Sequence, residues 1–181
     1  KKLEGTDFDF IGNLDADVTL DKSYYEDIFR TFQSNPRLGV AGGIILDCVG
    51  DNVYPQNISL NTVARAIQVF RKECFEKIGQ YTPFKYGGED AYMETMARMM
   101  NWEVQTFADL KVHHHRPTGT GMGSLSKANL RSGKMFYTLG YSPVFLLARC
   151  FYRIFDKPVL VGSILNSFGY FSALIKKEKC P

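Results

Sequence analysis

Cysteine is scarce in this sequence of 181 residues, and its four copies lie far apart. Cys48, Cys74, Cys150 and Cys180 form no C-x-x-C pair and show no spacing typical of a metal site. Reduced thiols in a cytosolic compartment are therefore the simplest interpretation. No signal peptide is recognisable in the sequence as given, and no segment of it is repeated.

Acidic residues are almost missing from the carboxyl-terminal part. Residues 1–110 hold 11 Lys/Arg and 17 Asp/Glu, whereas residues 111–181 hold 11 Lys/Arg and only two Asp/Glu. The net charge of +3 therefore hides a basic segment, which suits a phosphate-bearing ligand or an anionic membrane surface. Nucleic acid is not expected as a partner, because no run of Lys/Arg is interleaved with aromatic residues.

The composition is that of a folded domain, with 45% hydrophobic and 23% charged residues. Apolar β-prone runs alternate with segments of helical periodicity, which predicts an α/β fold. Strands are predicted at 8–14, 39–46, 63–70, 102–107 and 110–115, with a loop at 47–62. Helices are predicted between Ser23 and Asn35, at 71–78 and 89–100, and then at 126–138, 143–156 and 159–175.

Two aspartates directly follow the first apolar strand. Asp15 and Asp17 stand one residue apart, at the end of a run that would be buried. Desolvating even one unpaired carboxylate costs on the order of several kcal/mol unless a cation lies beside it. Hard oxygen ligands suit Mn²⁺ or Mg²⁺, so one interpretation is a metal that carries a phosphorylated ligand. The alternative is a turn that starts at Asp15 and a helix cap at Asp17.

Two further polar groups lie at the ends of predicted elements. Glu89 and Asp90 follow a glycine pair and open a helix, where the helix dipole favours negative charge; capping alone would also explain them. The histidine triplet at 113–115 ends the last strand. If Val112 points into the core, strand alternation puts His114 on the same side, where it would suit a mixed nitrogen–oxygen metal site. A solvated strand end is the alternative.

The order of these motifs is more specific than any one of them. The series is D-A-D at 15–17, a strand with G-G at 42–43, R-K before a short helix at 71–78, G-G-E-D at 87–90 and H-H-H-R at 113–116. Over about residues 8–125 it closely resembles the family 2 glycosyltransferases, which are nucleotide-sugar-dependent enzymes of the GT-A fold. The resemblance implies the carboxyl-terminal part of a GT-A (Rossmann-like) mixed sheet flanked by helices. It divides the chain into a partial catalytic domain at 1–125, the metal and acceptor half, and a helical extension at 126–181.

The resemblance also implies roles for individual residues. In that family the D-x-D carboxylates bind the metal and the sugar nucleotide, which makes Asp17 the direct ligand and places Asp15 nearer the sugar or ribose. A later histidine often completes the metal site, and His114 fits this position best by its parity. The aspartate of the family's E-D pair is the base towards the acceptor hydroxyl, a role that falls to Asp90 beside Glu89.

The implied activity is metal-dependent, inverting transfer of a sugar from a nucleotide-diphosphate donor to a glycan or lipid-linked acceptor, in assembly of cell-envelope polysaccharide or glycolipid. Arg116 and the glycine-rich segment 118–123 would close over the diphosphate, although the segment also suits a plain connector. The family's amino-terminal nucleotide-binding half has no counterpart here. Since the sequence starts at Lys1 rather than Met, we expect a piece that is inactive alone.

The carboxyl-terminal helices suggest a membrane. Residues 144–155 are apolar on nearly all sides except at Arg149 and Arg153, and residues 158–175 carry no charge. A pair of helices lying on the inner face of the cell membrane, at its cytoplasmic side, is one interpretation; a packed core or homodimer surface and a true span are the others. Two rival functions remain: a non-catalytic membrane-associated binding module, and a metal-dependent nucleotidyltransferase or phosphoesterase that uses the same acidic cluster.

Overall fold

The structure is a computed structural model, which describes residues 7–56, 59–79, 81–116, 125–153 and 160–178. The chain divides into two compact units. The first unit consists of Lys1–Tyr81 with Asp90–Pro117, and the second of Thr82–Glu89 with Thr118–Pro181. The segment at 82–89 therefore groups with the helical carboxyl-terminal part, and the boundary passes between Glu89 and Asp90.

The first unit is built around a mixed sheet. Its strands are β1 (Phe10–Gly12), β2 (Val18–Leu20), β3 (Leu38–Val49), β4 (Asn52–Pro55), β5 (Val69–Arg71) and β6 (Glu103–His114). The sheet order is β1-β5-β3-β6-β2, with β4 paired to β3. Strands β3 and β6 are parallel, and every other described pair is antiparallel. The predicted α/β fold with a mixed sheet is confirmed.

Helices cover the central strand β3 on both faces. They are α1 (Tyr24–Ser34), α2 (Lys72–Ile78) and α3 (Glu89–Met99). Tyr24, Ile28 and Phe32 recur every four residues on α1 and pack with residues of β3 such as Leu38 and Ile45. The other face holds a second cluster, to which α2 and α3 contribute Cys74, Phe75, Ile78, Met93 and Ala97. Because β3 is buried on both faces, its apolar run does not alternate with polar residues.

At Gly43, strand β3 has no room for a side chain. A Cβ built there would lie 2.1 Å from the carbonyl oxygen of Leu110. The Gly43 amide also donates a hydrogen bond of 2.9 Å to the buried hydroxyl of Tyr24, and burial raises the pKa of that phenol to about 12. The missing side chain at Gly43 therefore allows the backbones of β3 and β6 to approach closely.

Three local predictions in this unit are wrong. The predicted loop at 47–62 contains the end of β3 and all of β4, whose four residues are exposed and so give no periodic signal. The predicted strand at 63–70 is a 3₁₀ turn (Arg65–Ile67) that leads into β5. The two strands predicted within 102–115 are one, because β6 absorbs its polar interruption as a register shift opposite Gly43 and Ile44.

The second unit contains α4 (Leu125–Thr138), α5 (Pro143–Tyr152) and α6 (Val161–Ile175), so the three predicted helices are confirmed with shifted ends. Helices α4 and α6 meet closely at Gly133, where a Cβ would lie 2.0 Å from the carbonyl oxygen of Asn166. Hydrogen bonds from Lys85 and Tyr86 hold the pKa of Glu178 below its ordinary value and tie the segment 82–89 to the end of α6. Within the described ranges, no helix combines the length and the apolar character needed to cross a membrane.

Candidate functional site

The edge of the sheet brings together two carboxylates and a histidine. Asp47 near the end of β3 and His114 at the end of β6 are partners in the parallel register, because parallel strands end at the same edge. On the other side of β6, Val18 of β2 pairs with His114. The amide of His115 donates to the carbonyl of Asp17 at 2.9 Å, which fixes Asp17 beside the same histidine.

His114 contacts both carboxylates. Its Nδ1 lies 2.8 Å from Oδ1 of Asp47, and its Nε2 lies 3.6 Å from Oδ1 of Asp17. Gln56 holds Asp47 in place with a hydrogen bond of 2.9 Å from its Nε2. If the imidazole is neutral and its Nδ1 proton is donated to Asp47, the lone pair of Nε2 faces Asp17. The result is one nitrogen and one oxygen donor side by side.

The parity predicted for the histidine triplet is confirmed. Val112 and His114 are buried, with His114 only 9% exposed. His115 points the other way and lies 2.6 Å from the hydroxyl of Thr19, and His113 contacts the Cys48 sulfur at 3.8 Å. Of the three histidines, His114 alone makes an ion-pair contact with Asp17. Its role as a metal ligand stays a prediction.

The donor set at this edge fits a divalent cation in part. Asp17 and His114 offer the oxygen and nitrogen ligands that Mn²⁺ accepts. The third predicted ligand, Asp15, is exposed, and its amide donates to the carbonyl of Ala66 at 3.0 Å. Among the described residues, no group of three or more His, Cys, Asp or Glu side chains is close enough to hold a metal. Asp17 and His114 are therefore the two side chains at this site that would hold such a cation.

Glu89 and Asp90 stand at the start of α3, as the sequence predicts. The Ala91 amide donates to Oδ1 of Asp90 at 2.9 Å, and the Phe84 amide donates to Oε1 of Glu89 at 3.2 Å. Both carboxylates thus accept local backbone hydrogen bonds near the helix start, where the dipole stabilises them. In the part of the chain that the structure describes, no hydrogen bond or ion pair joins Asp90 to Asp17. The role of Asp90 as a base stays a prediction.

One turn beyond Asp90, a buried carboxylate holds α3 in place. Glu94 is 3% exposed. Its Oε1 accepts hydrogen bonds from the Val63 amide at 2.7 Å and from Nε2 of Gln68 at 3.2 Å. Its Oε2 accepts from the Thr62 hydroxyl at 2.8 Å. The helix that carries the predicted base is therefore fastened to the segment before β5 by charge-assisted hydrogen bonds.

The same network continues towards the two aspartates. Oε1 of Gln68 accepts a hydrogen bond of 2.5 Å from the Tyr81 hydroxyl. The hydroxyl oxygen of Tyr81 in turn accepts a hydrogen bond of 2.7 Å from Nδ2 of Asn13. Asn13 lies two residues before Asp15, and its own amide donates to the carbonyl of Gln68 at 2.8 Å. A continuous chain of hydrogen bonds thus connects α3 with the segment that leads to D-A-D.

Sequence reasoning did not find Asp47 or the network around Glu94. For Asp47 no local signal exists, since only strand pairing places it beside a histidine 67 residues away. For Glu94 a signal was present, because it lies on the same side of α3 as buried Met93 and Ala97. Arg116, predicted to bind the donor, is exposed. The predicted phosphate loop at 118–123 lies outside the described residues.

Comparison with known proteins identifies a solved structure with a similar fold. No family model and no curated protein sequence matches the chain. Among solved structures, the chain is similar to the mannosyltransferase PcManGT from Pyrobaculum calidifontis, determined in complex with GDP-Man and Mn²⁺, with a TM-score of 0.52 and 14% sequence identity. The match covers 92% of this chain and 48% of that one, so the chain spans about half the length of this neighbour. The likeness establishes a glycosyltransferase-like mixed α/β fold.

Proposed function

We propose that this chain is the metal and acceptor half of a family 2 type glycosyltransferase, which transfers a sugar from a nucleotide-diphosphate donor with inversion. The observation that carries the proposal is the row Asp47–His114–Asp17, in which the histidine lies 2.8 Å from one carboxylate and 3.6 Å from the other. It lies on a glycosyltransferase-like fold, at the carboxyl ends of the parallel strands, where α/β folds bind ligands.

The division of labour follows from the charges. Asp17 and His114 would hold Mn²⁺ or Mg²⁺, with Asp15 towards the sugar or ribose. Asp47 would accept a hydrogen bond from Nδ1 of His114 and so orient the ring. When bound, the cation supplies neutralisation of the charge that develops on the departing diphosphate. Arg116, exposed at the end of the same strand region, would add a guanidinium donor to the diphosphate oxygens.

The transfer step needs a base. The carboxylate of Asp90, with Glu89 beside it in sequence, accepts the proton of the acceptor hydroxyl. The acceptor oxygen then bonds to the anomeric carbon, and the bond from that carbon to the diphosphate oxygen breaks. The electron pair of this bond leaves with the diphosphate. Attack from the side opposite the leaving group inverts the anomeric centre. The network around Glu94 holds the helix that carries Asp90.

We further propose that the acceptor is a glycan or lipid-linked sugar of the cell envelope, used at the inner face of the cell membrane. Helices α5 and α6 support this proposal because they expose several large apolar side chains, and large exposed apolar patches are rare on soluble monomeric proteins. These include Val144, Phe145, Phe151, Tyr152, Ile164 and Phe168. Arg149 on α5, Arg153 directly after it, and Lys176 and Lys177 directly after α6 add positive charge to these helices, which suits anionic lipid.

The test uses the full-length protein with Mn²⁺, a panel of nucleotide sugars and a membrane extract as acceptor source. We expect sugar transfer that falls at least about 100-fold in Asp90→Asn, as removal of a general base requires. Asp109→Asn, an exposed aspartate, is the matched control and should retain activity. Unchanged transfer by Asp90→Asn would exclude it as the base. Pyrophosphate release without sugar transfer would instead support a nucleotidyltransferase. If neither product forms, the result would support a non-catalytic binding module.

A further inference from the structure

Helices α4, α5 and α6 enclose a cavity of about 270 Å³ that the proposed transfer does not use. Its polar lining includes Asn129, Ser132, Arg149, Arg153, Ser163 and Asn166. All of these belong to the second unit, so the cavity is complete within it. A polar cavity among three helices points to a ligand that brings charge or hydrogen bonds of its own.

Arg149 brings to this cavity a positive charge that no carboxylate among the described residues neutralises. Its guanidinium carbon lies 4.9 Å from the ring centroid of buried Phe136, which fixes the side chain by a cation–π contact. Among the described residues of this unit the only acids are Glu89 and Glu178, and no carboxylate forms an ion pair with Arg149. Glu178 is already bonded to Lys85. The guanidinium therefore retains N–H donors for an anion in the cavity.

Asn166 adds a buried polar atom for which the described residues offer no partner. Its Nδ2 donates to the carbonyl of Gly162 at 3.0 Å and to Oδ1 of Asn129 at 3.3 Å. These two acceptors fix the orientation of the amide, because the reversed amide would set oxygen against oxygen. The remaining atom, Oδ1, is buried and has no hydrogen-bond partner in the described structure. A ligand that carries a hydroxyl donor beside its anionic group would satisfy it.

An apolar groove adjoins the polar cavity. It has a volume of about 340 Å³ and shares Cys150 and Ser163 with the first cavity. Its other lining residues include Phe151 and Ile164, which are 78% and 64% exposed. Polar and apolar compartments therefore meet between α5 and α6, and an amphiphilic ligand matches both at once.

We propose that this double cavity binds a lipid phosphate, with the phosphate in the polar cavity against Arg149 and the hydrocarbon chain in the groove beside Phe151 and Ile164. The proposal rests on the proposed membrane association and deepens it, since it names the lipid chemistry that the helices recognise. The excess of basic residues in the second unit favours phosphate over neutral or cationic headgroups. A protonated oxygen of the phosphate group donates to Oδ1 of Asn166.

The test titrates the chain with dihexanoyl phosphatidic acid below its micelle concentration, by calorimetry. We expect saturable binding that weakens about 10-fold or more in Arg149→Gln, as loss of charge-assisted hydrogen bonds requires. Lys176→Gln is the matched control, because it removes the same charge from an exposed residue outside the cavity. Circular dichroism checks that each variant keeps its helices.

A second arm separates lipid from free anion. Phe151→Ser and Ile164→Ser change exposed residues, so folding should survive, and both should weaken binding of the lipid phosphate. Inorganic phosphate should bind more weakly than the lipid and should not respond to either groove variant. Equal binding of inorganic phosphate and lipid would overturn the proposal, as would equal losses in Arg149→Gln and Lys176→Gln, or no binding.

A third arm tests membrane association separately. Flotation with vesicles that contain phosphatidic acid reports whether the chain reaches a bilayer, whereas the short-chain lipid reports the cavity. Binding of the short-chain lipid without flotation would reject the membrane proposal and leave the cavity assignment standing. Flotation that is unchanged by Arg149→Gln, together with absent short-chain binding, would reject the cavity assignment alone.

Discussion

Replacement of Glu94 by alanine is the sharpest test of how α3 is held. The carboxylate accepts from the Val63 amide, from Nε2 of Gln68 and from the Thr62 hydroxyl. In Glu94→Ala the buried Val63 amide loses its partner, at about 1–3 kcal/mol. Nε2 of Gln68 loses one of its two hydrogen bonds, at about 0.5–1.5 kcal/mol, and keeps the one to the Val63 carbonyl at 3.2 Å. Relief of the desolvation of a buried charge offsets part of that loss, so we expect the free energy of unfolding to fall by about 2–4 kcal/mol.

Glu94→Gln separates the contribution of hydrogen bonding from that of the negative charge. The glutamine oxygen can still accept from the Val63 amide, and its amide nitrogen can donate to the Thr62 hydroxyl, which can also accept. The variant loses mainly the contact with Arg98 at 3.4 Å, a partly exposed pair. We therefore expect a loss of about 1 kcal/mol or less. Glu73→Ala, an exposed acid on α2, should change stability by less than about 0.5 kcal/mol.

Urea unfolding followed by the fluorescence of the single tryptophan is the assay. Trp102 lies in the first unit, so its signal reports the unit that contains Glu94. Equal losses in Glu94→Gln and Glu94→Ala would refute the hydrogen-bond argument, since glutamine keeps the acceptor oxygen and the side-chain volume and removes only the charge. A loss below about 1 kcal/mol in Glu94→Ala would mean that water satisfies the two donors. Faster amide exchange at Val63 should accompany the loss.

Two further predictions concern the site and the core. Asp47→Asn should lower the affinity for Mn²⁺ about 10-fold, because the amide holds His114 less firmly than the carboxylate does. Electron paramagnetic resonance of free Mn²⁺ measures this affinity. Asp51→Asn in the exposed hairpin turn is the control, and equal effects of the two variants would contradict the role of Asp47. Burial raises the pKa of the Cys74 thiol to about 12, so this thiol stays protonated at pH 8. Iodoacetamide should therefore label Cys48 and spare Cys74, as read from peptide mass spectra. Equal labelling of both cysteines in the native state would show that the core around Cys74 opens.

Local sequence patterns predicted much of the fold. The four-residue recurrence of Tyr24, Ile28 and Phe32 predicted α1, and these side chains are buried in the structure. Strand alternation predicted that His114 shares a side with Val112, and both are buried. The alternation failed at β4, where no residue is buried and the strand pairs with β3. Periodicity records burial, so it does not reveal an exposed strand.

The candidate site was predicted only in part for the same reason. The sequence placed Asp17 and His114 among the polar groups that end predicted strands, and the structure brings them within 3.6 Å. It gave no indication of Asp47, because the parallel pairing of β3 with β6 is a long-range choice. The resemblance to glycosyltransferases suggested the roles of these residues, and those roles stay predictions.

By itself the sequence determined where the carboxylates and histidines lie along the chain, which helices end it and how basic that end is. Those properties follow from residue identity and from periods of two or about four residues. Only the tertiary structure decided that Asp47 orients His114, that Glu94 fastens α3, and that Arg149 and Asn166 line one cavity. Each of these depends on the register of strands or the packing of helices that are distant in sequence, which no local pattern specifies.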